Sequence, residues 1–315
     1  MAIFPDDIII EILIRLPVKS LIRFRCVSKP WCNLIHDSTF IQTHFKRALE
    51  ENNLDLFISC TTTYKQKTFF SHMYCLDFNS SNEAVEIIEN PIKESLDEAF
   101  LKERLLGSCN GLVCLFTTDA FCVLNPLTRE FKFVNHDFDV RFEYEDVYGF
   151  GFDSDAGVYA VVYIKCDHII HSNSIVHVYS LSDTSTTCVI TFNVAYKFKC
   201  DMRSGVYLNG ALHWVAFPNP MDKRNETVVS FNINEKVFQE LPRPDKLTEN
   251  ACITVGLLGG YISILCYLPS DPIEIWIMNN YGVKESWSKL CAIERAVIPC
   301  FMASDLWRSD PWVRP

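Results

Sequence analysis

The sequence predicts a small all-helical module followed by a mainly-β domain, and two observations carry that reading. Apolar spacing is helical up to about residue 50, and beyond it short β-rich runs alternate with polar turns. The turns that begin near 125, 182, 232 and 279 recur roughly every 50 residues, the sequence mark of a β-propeller. An irregular β-sandwich is the alternative architecture for the same runs. With 315 residues, 49% hydrophobic and 22% charged, the chain is long enough for both parts and too apolar to be disordered.

The first helix is expected from Pro5 to Leu16. Pro5 suits a first helical position, Asp6 and Asp7 complement the dipole there, and Leu16-Pro17 stops the helix. At about 100° per residue, Ile8, Ile12, Leu16, Ile9, Leu13, Ile10 and Ile14 sweep an apolar arc about 240° wide. Asp7, Glu11 and Arg15 form the one polar stripe. A surface helix needs an arc of only roughly 100°. Val18, Leu21, Ile22, Phe24, Cys26 and Val27 make a second helix, and Trp31, Leu34 and Ile35 a third. Three short helices in about 45 residues fall below the size that usually folds alone. The surplus apolar face is therefore expected to meet a partner or the β domain. Glu51-Asn52-Asn53 reads as the joint, with domains at 1–48 and 49–315.

The β domain repeats loosely. Leu106–Leu115 with its Asn110-Gly111 turn precedes Phe121–Leu124, the turn Asn125–Arg129, and Phe131–Val134. Tyr207–Trp214 precedes Val228–Phe231, the turn Asn232–Glu235, and Val237-Phe238. Ile175–Tyr179 before Ser182-Asp183 and Ile275–Met278 before Asn279-Asn280 give two further copies. The uncharged stretch Ala251–Leu268 reads as two buried strands joined at Gly259-Gly260, not as a membrane span. Residues 92–106 read as a helical or looped insertion. Strand alternation fades after Leu290, so residues 291–315 are not expected to complete the propeller.

Charge and cysteine usage narrow the function classes. The net charge of −10 argues against a general phosphate-backbone binder. Residues 1–50 hold seven Lys and Arg against five Asp and Glu, a balance of +2, so the remainder carries −12 and would favour a basic partner. The start, Met1–Asp7, has no basic region, and secretion is not expected. The 14 Cys then read as buried thiols, and no C-x-x-C pair suggests zinc. His168 and His171 in Cys166–His171 could ligate a metal but read better as a hairpin loop. Asp153/Asp155 and Glu143/Glu145/Asp146 read as solvated loops, not as acid–base pairs. No cofactor, metal, nucleic acid, membrane or catalytic residue is expected.

The first forty residues carry a resemblance. Phe4-Pro5-Asp6-Asp7, Glu11-Ile12-Leu13, Arg15–Leu21, Arg23–Lys29 and Trp31 together resemble the F-box of plant proteins. Gly107–Leu112, Asn125–Glu130 and Gly149–Asp153 are similar to the F-box-associated or kelch-like domain of the same proteins. The run from Ile275–Met278 to Tyr281–Trp287 is similar to the S-locus F-box proteins of pollen. The resemblance implies a non-catalytic substrate-recognition subunit of a Skp–cullin–F-box ubiquitin ligase, cytoplasmic or nuclear. It would dock on a Skp-type adaptor, and through it a cullin, and hold a protein target, a pistil ribonuclease if of S-locus type. The implied adaptor contacts are Phe4, Pro5, Ile8, Ile12, Leu16, Pro17, Leu21 and Val27; no target-binding residue is implied. A ligase-independent interaction scaffold and an enzyme built on a propeller are the alternatives.

Overall fold

The computed structural model describes residues 5–50, 55–64, 67–77, 86–88, 104–116, 120–135, 146–166, 174–181, 186–199, 204–218, 226–247, 251–267 and 272–294. These fall into two compact units. The first holds the helices and the strands up to Phe133, apart from Leu106–Cys109; the second holds that segment and the described residues from Val134 on.

The first unit opens with α1 (Asp6–Leu13), α2 (Val18–Phe24), α3 (Lys29–His36) and α4 (Ser38–Glu50). Helix α1 ends at Leu13 and not at Leu16. The N–H groups of Arg15 and Leu16 turn back to the carbonyls of Ile12 and Leu13, a tightened last turn ahead of Pro17. Cys26 and Val27 lie in the turn after α2, outside the helix expected to hold them. The fourth helix corrects the three-helix reading. Its start is fixed by Asp37, whose Oδ1 accepts from the N–H groups of Thr39 (2.9 Å) and Phe40 (3.1 Å). Leu13, Ile14, Leu21, Ile35 and Phe40 form the module core, with Ile9, Ile10, Leu16, Phe24, Trp31 and Leu34 packed on it.

Twenty strands follow among the described residues. β1 (Asp55–Tyr64), β2 (Lys67–Asp77) and β3 (Glu86–Ile88) make an antiparallel sheet in chain order, one that the repeat pattern had not marked. β4 (Arg104–Cys109), β5 (Leu112–Phe116), β6 (Ala120–Leu124) and β7 (Phe131–Asn135) make the next, order β4-β5-β6-β7. Residues 104–106 are thus strand and not insertion; 92–103 lie outside the described residues. In the second unit β8 (Val147–Asp153), β9 (Val158–Lys165), β10 (Ser174–Leu181) and β11 (Thr186–Val194) form one four-stranded sheet. β12 (Lys197–Phe198), β13 (Val206–Leu208), β14 (Ala211–Phe217), β15 (Thr227–Asn232) and β16 (Val237–Leu241) form a five-stranded one. β17 (Cys252–Leu258), β18 (Tyr261–Tyr267), β19 (Ile273–Met278) and β20 (Trp287–Ile293) form the last. Each turn of the expected repeat precedes the last strand of its sheet. Strand β20 runs to Ile293, past the point where alternation was expected to fade; residues 295–315 lie outside the described residues. Gly259 (φ 57°) and Gly260 (φ 80°) turn β17 into β18, as the hairpin reading requires. Among the described residues no helix is long and apolar enough to cross a membrane.

One five-residue turn recurs. Asn125, Asp153 and Asn232 each accept, through Oδ1, the N–H groups two and three residues on. Each also takes a backbone hydrogen bond on its own carbonyl from the residue four on, namely Arg129, Gly157 and Lys236. All three of those residues have positive φ, which closes the turn.

The second unit is sealed by close approach between sheets. Trp214 is fully buried, and its indole N–H donates to the Tyr148 carbonyl at 3.0 Å. A Cβ added at Gly149 would lie 2.8 Å from the Leu212 side chain, and one at Gly151 2.3 Å from that of Ile233. The Gly149-Phe150-Gly151 run is therefore a steric requirement of packing β8 against its neighbour.

Candidate functional site

The helical module exposes more large apolar side chains than its size warrants. Ile8 is 45% exposed, Ile12 53%, Val27 60% and Ile41 50%. Ile8 and Ile12 are one turn apart on α1 and so share a face. Of the arc of about 240° on the first helix, the module covers the part from Leu16 and Ile9 round to Ile14. What remains uncovered is the strip of Ile8 and Ile12, bordered by Glu11 and Arg15, whose side chains pair at 3.2 Å. Part of that cover comes from Phe40 on α4.

The other expected contacts divide. Pro5 and Pro17 are exposed and stand immediately before α1 and α2. Leu16 is half-buried, and its carbonyl accepts from His44 Nε2–H of α4 at 2.8 Å, which fixes the α1–α2 turn. Leu21 is 5% exposed and belongs to the module core, so its side chain faces the other helices. Phe24 and Trp31 meet edge-to-face at 5.6 Å within that core. Phe4 lies outside the described residues. Ile41, on α4, is an exposed apolar residue that the sequence reading missed because it missed the helix. The Asp37-Ser38-Thr39 cap was the available signal.

The module meets the β6–β7 turn in the same compact unit. Arg25 Nη1–H donates to Glu130 Oε1 at 2.9 Å. This hydrogen bond holds the Glu130 carboxyl below its ordinary range, with the Thr128 hydroxyl and the charges of Arg25 and His36 adding to it.

No catalytic arrangement emerges from the described acidic and nucleophilic groups. Asp146 and Asp153, expected on solvated loops, are buried: Asp146 accepts from Tyr163 O–H (2.7 Å) and the Cys166 N–H (3.2 Å), and Asp153 pairs with Lys236 at 2.8 Å. Both are structural anchors, invisible in sequence because their partners come from other parts of the fold, Tyr163 from β9 and Lys236 from the β15–β16 turn. Glu143, Glu145, His168 and His171 lie outside the described residues. Among the described residues no group of His, Cys, Asp or Glu could hold a metal ion. Nine described cysteines are free thiols, and burial pushes Cys109 up to about 12 and Cys266 to about 11, far from the thiolate form. Two further buried groups tie sheets together. Lys199 pairs with Glu226 at 2.9 Å, and Glu226 also accepts from the Ile253 N–H at 2.7 Å. His213 donates Nδ1–H to the Val206 carbonyl (2.9 Å), so its Nε2 accepts from Tyr281 O–H (2.8 Å). Burial pushes the imidazole down to about 4, and it is neutral. A cleft of ≈ 490 Å³ is lined by Pro218, Glu240, Pro242 and Arg243 among others.

Comparison with known proteins agrees with this division of labour. Residues 2–43 match the F-box domain, and residues 61–307 match the F-box associated beta propeller domain. An F-box/kelch-repeat protein of Arabidopsis thaliana is 28% identical over 302 residues, covering 92% of this chain and 79% of that protein. The F-box protein CPR1 of Arabidopsis thaliana is 26% identical over 319 residues, covering 94% of this chain and 74% of that protein. Among solved structures, the β-propeller domain of the Trilobed protease from Pyrococcus furiosus aligns with a TM-score of 0.37 at 9% identity, over 76% of this chain and 82% of that one.

Proposed function

We propose, from the premise that this chain belongs to the F-box proteins with an F-box associated β-propeller domain, that it is the substrate-recognition subunit of a Skp–cullin–F-box ubiquitin ligase. The observation that carries the reading is the uncovered Ile8–Ile12 strip on a module already packed on its other side. An apolar strip of this kind is buried favourably by a partner, at about 25 cal/mol per Å² removed from water.

On this reading a Skp-type adaptor takes Phe4, Pro5, Ile8, Ile12, Leu16, Pro17 and Val27, and through it a cullin is recruited. Leu21 supports that face from the module core. The functional boundary falls at 48/49, and the β domain holds the target. The chain performs no bond chemistry. It raises the local concentration of a target's lysines at a charged ubiquitin carrier, so its contribution to rate is proximity. The balance of −12 after residue 50 favours a basic target. The finer reading, an S-locus type receptor for a pistil ribonuclease acting in the cytoplasm or nucleus, rests on that charge and on the Ile275–Trp287 run alone.

Size-exclusion chromatography of the purified full chain with a purified Skp-type adaptor tests the proposal. A stoichiometric complex is expected. Separate elution at micromolar concentrations would overturn the ligase reading and leave the ligase-independent scaffold.

A further inference from the structure

We propose that the Arg25–Glu130 pair is a positioning strut that holds the helical module against the β6–β7 turn. It thereby sets the angle at which the adaptor-bound end faces the strands of its own compact unit. The inference rests on the substrate-receptor reading for its consequence, and on geometry for its existence.

Arg25 is the residue that closes α2, so its side chain leaves from a fixed helix end. It lies in the turn before α3, whose start Ser28 caps by accepting the Trp31 N–H at 3.3 Å. Four-fifths of the Arg25 side chain is covered (22% exposed), and its Nε is buried with no hydrogen-bond partner among the described residues. The guanidinium is therefore held mainly through Nη1, which meets Glu130 at 2.9 Å across 105 residues of sequence. A cation covered this far from water is sensitive to loss of its counter-charge.

The partner is as well fixed. Glu130 follows Arg129, the positive-φ residue (62°) of the Asn125 turn. Its carbonyl accepts the Asn125 N–H at 2.9 Å, and its own N–H donates to Thr128 Oγ1 at 3.3 Å. The charge is thus set on a rigid corner. The homologous corner in the second unit uses the same backbone differently: there Lys236, the positive-φ residue itself, reaches Asp153 on another sheet. One turn design locks sheet to sheet in one place and helical module to sheet in the other. The helical module and the β4–β5 turn also approach each other, since a Cβ added at Gly111 would lie 3.7 Å from Phe45 Cε2 of α4. For a subunit that works by proximity, a defined angle between the adaptor and these strands is part of the mechanism.

The test measures the distance distribution between spin labels at Gln42 and Lys132, introduced as a ketone-bearing amino acid so that the native cysteines stay untouched. Full chain is used, free and bound to a Skp-type adaptor. Arg25→Glu and Glu130→Arg should each broaden the distribution, and the double exchange should restore the wild-type width. Adaptor affinity should stay within about twofold in all of them, since neither residue is proposed as an adaptor contact. If Arg25→Glu fails to fold, Glu130→Gln on the exposed partner should still broaden the distribution. Single variants with the wild-type distribution, or a double exchange that stays broad, would overturn the strut. Failure of wild type to bind the adaptor would sink the receptor reading instead, while the distances on the free chain still judge the strut.

Discussion

The helical module and the second compact unit solve burial in opposite ways. The module leaves Ile8, Ile12, Val27 and Ile41 exposed over a core of five buried residues, and its polar contacts are mainly local caps. The second unit buries ionic and polar groups and matches them between sheets: Lys199 with Glu226, Asp153 with Lys236, His213 with Tyr281. The second unit also leaves Leu257, Leu258, Tyr261 and Leu290 exposed, so what sets the module apart is the density of such side chains over so small a core, and that is where a partner is expected. If the module docks a partner as proposed, the difference makes stability and docking separable in this chain. Mutations in one region should leave the readout of the other unmoved.

The largest stability effect is expected at Glu226. Glu226→Ala takes the carboxylate away from the mostly buried Lys199 ammonium, which keeps its bond to the Ile253 carbonyl, and removes the acceptor of the Ile253 N–H. About 3–5 kcal/mol should be lost, measured by urea unfolding followed through tryptophan fluorescence. Adaptor binding at a concentration of urea that keeps the variant folded should be unchanged. A variant that unfolds like wild type would mean that the pair is not a lock between sheets.

His213 sharpens the comparison with pH. Its pKa is about 4 in the folded chain and 6.5 without the fold, so protonation favours the unfolded state. Stability from this group is full above pH 6.5 and falls as the pH drops towards 4, by up to about 3 kcal/mol. His213→Gln should flatten that part of the stability–pH curve. An unchanged slope between pH 6.5 and 4 would show that the imidazole is not held neutral.

Asn232 gives a smaller effect. Asn232→Ala removes the acceptor of the Asn234 and Glu235 N–H groups and should cost about 1 kcal/mol in the same unfolding assay. The equivalent Asn125→Ala should cost a similar amount locally and, unlike Asn232→Ala, should raise hydrogen exchange at the turn that carries Glu130.

Much of this architecture was legible before any coordinates. The turns near 125 and 232 were readable because Asn at a strand end bonds its own backbone two and three residues on, a local effect; residues 182–185 lie outside the described residues. The Gly259-Gly260 hairpin was readable because glycine takes the positive φ that the turn requires. Helix α4 was missed although Ile41, Phe45 and Ala48 stand at i, i+4 and i+7 and the Asp37 cap marks its start, because Gln, Thr, His, Lys and Arg thin its apolar face. That omission overstated the bare face of α1, since Phe40 helps cover the core beneath it. The burial of Asp146 and Asp153 was not legible at all, because Tyr163 and Lys236 reach them through tertiary contacts. At the candidate site helical periodicity gave the wide apolar arc that holds Ile8 and Ile12, the F-box resemblance singled them out as contacts, and Leu21 needed the packing of the other helices to be placed in the core.

The most direct test of the docking face is a calorimetric titration of a Skp-type adaptor into full-length wild type, Ile12→Glu and Glu11→Gln. Ile12 is about half exposed, so a carboxylate there should not disturb the free chain, and circular dichroism should be unchanged. In the complex the unpaired charge would be desolvated at a cost of about 4 kcal/mol, roughly a thousandfold in Kd. Glu11→Gln, on the polar border of the same helix, should change binding by less than about 1 kcal/mol. Loss of affinity in Ile12→Glu with Glu11→Gln near wild type is the predicted result; equal affinity for all three proteins would contradict the assignment of this strip as the adaptor face.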